Sequence, residues 1–194
     1  MEGYYDYQPT RSLQRPLVLV SFVNELTRAV ANSLASTTGL PLRLLDDVVE
    51  HRLGTSSVEL VQLVEHLSGP TLADWRRMEQ EALTKAVHSR PQAVVAVGEG
   101  ALAHADSLEL VLAQTQLIYL YLSFDEAQKL ALAQPANRKA TLLAELPTDE
   151  LSLENNLMEL FTSRRVAYER AHHSVDVRGE SAMSAGKRVL ELIG

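Results

Sequence analysis

Residues 17–39, LVLVSFVNELTRAVANSLASTTG, decide how this chain is read. Pro16 introduces Leu17–Val23, a β-branched apolar run suited to a strand buried on both faces. The run passes directly into a helix over 26–38, with Leu26, Val30 and Leu34 as its apolar stripe and Gly39 as its C-terminal cap. In an α/β protein this first strand–helix junction is where a phosphate sits, on free backbone N–H groups at the helix start. A phosphate loop needs glycines for close backbone approach, a lysine for charge and a hydroxyl for magnesium. Here the junction reads Ser21-Phe22-Val23-Asn24-Glu25-Leu26-Thr27-Arg28. The position of a nucleotide site is present and its chemistry is missing.

Outward from that stretch, short apolar strands alternate with helices. Strands are expected at 40–45, 92–97, 116–122 and 174–177, and helices at 46–67 (broken near Gly54), 71–88, 104–113, 125–132, 150–171 and 181–192. Pro135–Lys139 interrupts the helical reading between two of these. The alternation indicates βα units and a five-stranded parallel sheet covered on both faces, a three-layer α/β/α domain over 16–194. Residues 1–15 are polar, aperiodic and rich in tyrosine (Tyr4, Tyr5, Tyr7) and read as a flexible tail. Ligands on such sheets bind outside the carboxyl ends of the strands, here Phe22–Asn24, Leu44–Asp47, Val97–Gly100 and Leu122–Asp125.

Composition narrows the function classes. The chain has 194 residues, no cysteine and a formal net charge of -7. Thiolate metal sites and disulfides are excluded, and a reducing compartment fits. An acidic chain without basic runs argues against nucleic acid and anionic membranes as partners. No apolar run approaches the roughly 20 residues needed to span a bilayer, and the N-terminus lacks a signal-peptide pattern, so a cytoplasmic protein is expected. The six histidines show no paired metal spacing; Glu169 with His172 is a single Glu-x-x-His step, and these histidines read as solvated helix-end residues. No metal site is expected.

The order of motifs resembles shikimate kinase, a small P-loop kinase, over about 17–193. LRLLDDVVEHRLG (42–54) is similar to the family's D-x-D-x-x-I-E-x-R-x-G, and Trp75-Arg76-Arg77-Met78-Glu79 to its F-R-x-x-E. AVGEGAL (96–102) is similar to A-T-G-G-G-x-V, Asn137-Arg138 before Leu142-Leu143 to the N-R-P-L-L lid, and Arg164 to Tyr168 with Glu169 to R-x-P-L-Y-x-E. The resemblance implies a P-loop kinase-like fold.

Carried over residue by residue, the resemblance divides the site. The three glycines of the phosphate loop fall on Ser21, Asn24 and Leu26, its lysine on Thr27 and its magnesium-binding hydroxyl on Arg28. The magnesium-assisting aspartate falls on Leu44, which cannot hold a hard cation. Arg28 itself reads as a solvated helix residue. On the acceptor side, Asp46 falls on the aspartate that meets ring hydroxyls, and Arg76 and Arg164 on the arginines that hold the substrate carboxylate. Gly98 and Gly100 keep part of a glycine triad, with Glu99 between them, and Arg138 falls on the lid. Read without the resemblance, Asp46 is an N-cap of the next helix and Trp75 a core residue. Glu99 is expected to pair with Arg76 or Arg164 and fill part of the acceptor site from within.

The resulting expectation is a kinase-like protein with a degenerate phosphate loop and no catalytic residues of its own. It would have lost ATP and magnesium as cofactors and would act by binding, with a small carboxylic acid or another protein as partner. An active shikimate-type kinase with an atypical loop, which would use ATP and Mg, and an interaction module without a small ligand are the alternatives.

Overall fold

The computed structural model describes residues 13–54, 72–133 and 153–193. The expected 55–67 helical segment, the Pro135–Lys139 break, lid residue Arg138 and residues 1–12 of the tail lie outside them. In chain order the elements are β1 (Leu17–Val20), α1 (Asn24–Thr38), β2 (Leu42–Leu44), α2 (Leu45–Leu53), α3 (Leu72–His88), β3 (Val94–Ala96), α4 (Ala105–Gln114), β4 (Gln116–Tyr121), α5 (Phe124–Ala133), α6 (Leu153–Tyr168), β5 (His173–Asp176) and α7 (Ala182–Leu192). The five strands form one all-parallel sheet in the order β2-β3-β1-β4-β5.

β1 lies at the centre because its sequence permits no solvated face. Leu17, Val18, Leu19 and Val20 are all 0% exposed, and the strand pairs on both sides, Leu17 opposite both Val94 and Gln116. Helices cover both faces, as parallel sheets require. α1 buries Thr27, Val30, Ala31, Leu34 and Thr38, so its inner stripe runs through Thr27 where Leu26 was expected; Leu26 is half-buried. Gly39 ends α1 at φ 72° and its N–H bonds the Ala35 carbonyl, the left-handed cap that glycine takes without a Cβ clash. Leu13, within the segment expected as a tail, packs against the core. His172 is exposed as expected, yet its Nδ1 accepts the Leu117 backbone N–H at 3.0 Å and so helps hold the start of β4.

The order of strands fixes where a ligand can sit. β2, β3 and β1 are neighbours, so the segments leaving their carboxyl ends, 45–47, 97–100 and 21–24, converge at one end of the sheet. Among the described residues, no helix is long and apolar enough to cross a membrane.

Candidate functional site

At the β1–α1 junction only three residues separate strand from helix. Ser21, Phe22, Val23 and Asn24 are 0–4% exposed. The Phe22 ring meets Phe161 of α6 edge-on, centroids 5.1 Å apart, and Phe161 meets Phe124 of α5 at 5.5 Å. Burying a phenylalanine in this way is worth about 2–3 kcal/mol. Thr27 is fully buried and its hydroxyl donates back to the Val23 carbonyl at 3.4 Å, within its own helix turn. Val23 caps α1 in an extended conformation with no side-chain hydrogen bond. The junction is thus packed by its own side chains.

Arg28 corrects the sequence reading. It is not a solvated helix residue: its side chain is 13% exposed and grips Asp47 at the start of α2 with two hydrogen bonds, Nη1 to Oδ1 at 2.7 Å and Nη2 to Oδ2 at 3.1 Å. Burial opposes the Arg28 charge, but the Asp47 pair outweighs it and raises the guanidinium pKa. Sequence spacing could not announce this partner, which lies 19 residues away on another helix.

Asp46 is a second correction. α2 begins at Leu45 with Leu44 as the capping position and no side-chain cap bond, so Asp46 sits inside the first turn and does not cap the helix. It is 7% exposed, and its Oδ2 accepts a hydrogen bond from the Asn24 amide nitrogen across the junction. A residue standing where a phosphate loop would carry glycine therefore reaches the opposite half of the site. Asp46 Oδ1 is buried and has no hydrogen-bond partner. It points to Gly98, where an added Cβ would come within 2.7 Å of it and within 3.1 Å of Glu79 Oε1.

Three carboxyl groups are therefore buried together: Asp46, Glu79 at 2% and Glu99 at 4% exposed. Burial, then the Glu79 and Glu99 charges, push the Asp46 carboxyl well above the ordinary carboxylate range; Arg28 works in the opposite direction. Burial also raises Glu79, against the lowering effect of Arg76. Arg76 donates from Nη1 to Glu79 Oε2, one helical turn along α3, and forms an ion pair with it. Its guanidinium lies directly over Gly100, in the space a Cβ would fill, so Gly100 is the residue that lets Arg76 lie there. Glu99 turns inward between the two glycines, and its backbone carbonyl accepts the Tyr168 hydroxyl. Burial raises the Tyr168 phenol, with Arg164, Glu99 and Arg76 all near enough to act on it, so Tyr168 marks the point where α6 joins the cluster. Arg164 is half-buried and Trp75 is 1% exposed in the core.

The structure thus brings together Asp46, Arg76, Gly98, Glu99 and Gly100, sets Arg164 near Tyr168 at their margin, and joins Asn24 to Asp46 and Arg28 to Asp47. Glu79 and Tyr168 stand in the quoted motifs, but sequence reasoning gave neither a place in the site. The Arg76-x-x-Glu79 spacing, which puts both on one helical face, was the available signal for the first. Among the described residues, no group of three or more histidine, aspartate or glutamate side chains could hold a metal ion.

The comparisons agree with this architecture. A family model described as shikimate kinase matches residues 28–193, so the match begins just after the 21–27 junction. Among solved structures, shikimate kinase from Acinetobacter baumannii in complex with shikimate is 21% identical with a TM-score of 0.75, covering 93% of each chain. Shikimate kinase from Bacteroides thetaiotaomicron is 17% identical with a TM-score of 0.74, covering 92% of this chain and 98% of that one. The enzyme from Aquifex aeolicus is 18% identical with a TM-score of 0.71, covering 91% and 94%. No curated protein matches the sequence.

Proposed function

We propose that this chain, which belongs to the shikimate kinase family, has given up ATP and kinase chemistry and works by binding a small carboxylic acid in the acceptor half of its site. The observation that carries this reading is the β1–α1 junction. Phosphoryl transfer depends on positioning the phosphates and neutralising their charge. Here Phe22 and Val23 are buried in the junction itself, and Asn24 is committed to Asp46. Arg28, the cation at its edge, is committed to Asp47, and Leu44 offers no oxygen to magnesium. These residues do not fit a magnesium-held phosphate, and no catalytic step is derived through one.

The acceptor half supports binding. Arg76 and Arg164 supply guanidinium groups suited to a carboxylate, and Gly98 and Gly100 bring backbone close to the same place. The fold partner from Acinetobacter baumannii holds shikimate, which makes shikimate and other cyclic hydroxy acids the first ligands to try. The cytoplasm is the compartment we propose, and no nucleic-acid or membrane partner. The alternative of an active kinase draws on the family membership alone.

A thermal-shift and calorimetric screen with shikimate, quinate and aromatic acids, without nucleotide, tests the reading. A ligand that binds only the native state must raise the melting temperature. We expect at least one acid to do so saturably, and Arg76→Leu to abolish the shift. No shift with any acid would sink the binding function.

A further inference from the structure

Resting on that reading, the geometry points to an altered chemistry at Asp46: we propose that Asp46 acts as a neutral carboxylic acid, oriented by Asn24, and that the site selects ligands presenting an acceptor oxygen, a carbonyl, to Asp46 Oδ1.

The two carboxyl oxygens of Asp46 have different surroundings. Oδ2 accepts the Asn24 amide N–H. Oδ1 is buried with no partner. A buried carboxylate oxygen left without a donor is costly, whereas a proton on it restores neutrality and leaves an O–H able to donate. Asn24 favours the proton on Oδ1, because its N–H bonds Oδ2 and the carbonyl oxygen of a neutral carboxyl is the stronger acceptor.

The surroundings favour the same state. From α3, Glu79 faces Asp46; from the β3–α4 segment, Glu99 does; from α2 itself, Glu50 adds a third negative charge. Arg28 on α1 is the opposing cation, but its guanidinium is bound bidentately to Asp47. Arg76, paired with Glu79, and Arg164, near Tyr168, are the further cations of the cluster. Like charges sharing a buried site cannot all ionise.

Recognition changes as a result. An ionised aspartate accepts hydrogen bonds and so selects ligand hydroxyls. A neutral one held by Asn24 offers Oδ1–H, and a ketone oxygen, which can only accept, becomes a good partner. Asn24 is then a positioning residue for specificity.

The test has two independent arms. The first is a carbon-detected NMR titration of the Asp46 carboxyl in the unliganded wild-type chain. We expect the protonated signal at neutral pH, with ionisation only in the alkaline range; an ionised Asp46 at pH 7 would overturn the inference whatever binds. The second is calorimetry with two probes: shikimate, and 3-dehydroshikimate, in which a ring hydroxyl is a ketone. We expect the ketone to bind at least as tightly as the alcohol near pH 6. Its affinity should fall about tenfold per pH unit once Asp46 ionises. Asp46→Asn, whose amide keeps a donor in place, should bind the ketone with no such fall. A clear preference for shikimate, with Asp46→Asn binding neither probe, would overturn the donor role. A protonated Asp46 with no binding of either probe would overturn the ligand selection, whereas the acid-binding function falls only if the wider acid screen also shows no shift.

Discussion

At the carboxyl end of β1, Phe22 and Val23 are packed into the strand–helix junction and the Thr27 hydroxyl is turned back onto its own helix. At the carboxyl end of the neighbouring strand β3, Glu99 lies between two glycines whose missing side chains leave room for an aspartate and an arginine. The first region has filled its space with side chains; the second has kept glycine where close approach is needed. The difference teaches how two neighbouring strand ends can be built, one closed by packing and one opened by glycine. The residues of the first region bond across to α2: Asn24 to Asp46 and Arg28 to Asp47 tie α1 to α2.

The comparison breaks most sharply at Phe22. Phe22→Ala removes a fully packed ring from the Phe161 contact and should cost about 3–5 kcal/mol, read by denaturant unfolding. A loss under about 1 kcal/mol would mean that the junction is not closed by packing. Next in size is Arg76→Leu, which leaves Glu79 buried beside Asp46 and Glu99. Removing one member of a buried pair costs about 3–5 kcal/mol, taken here at the low end because Arg76 retains some exposure. The Glu79 carboxyl is already raised by burial, so it takes up a proton readily as pH falls. The penalty of Arg76→Leu should therefore be largest near pH 8 and shrink toward pH 5; a penalty independent of pH would argue against the carboxyl cluster.

Much of this architecture is legible in residues 17–39 and their echoes. The β-branched run of β1 could only be a doubly buried strand, and Gly39 could only end a helix there. What was not legible is pairing between distant polar residues. The helix start at Leu45, and with it the inward position of Asp46, depends on how α2 leaves β2. The Asn24–Asp46 and Arg28–Asp47 bonds join residues 22 and 19 positions apart. No periodicity encodes that distance, so Arg28 looked solvated and Asp46 looked like a cap. Glu79 was quoted in the Trp75–Glu79 motif but given no role, because one turn of helix from Arg76 is also the spacing of an ordinary surface pair.

Two smaller effects sharpen the contrast. Asp46 holds its proton more tightly in the folded chain than in the unfolded one. Its favourable contribution is thus complete below the ordinary carboxylate pKa and is lost as pH rises through the raised folded value. Asp46→Asn should accordingly raise the melting temperature near pH 8, with the gain vanishing near pH 4. A loss of stability at pH 8 would contradict the sign. Smallest is Arg28→Ala: Asp47 is 45% exposed, so the pair is screened and its loss should cost about 1 kcal/mol, or about 2–4 °C in melting temperature. It should leave shikimate binding unchanged. A loss of shikimate binding would place Arg28 in the ligand site.

The central claim is that one half of the site has been given up and the other kept. Calorimetric titration of Mg-ATP, with and without shikimate, tests it most directly. The account predicts no saturable heat for the nucleotide in either case, while shikimate or a related acid binds alone. Submillimolar ATP binding accompanied by phosphate transfer to shikimate would contradict it.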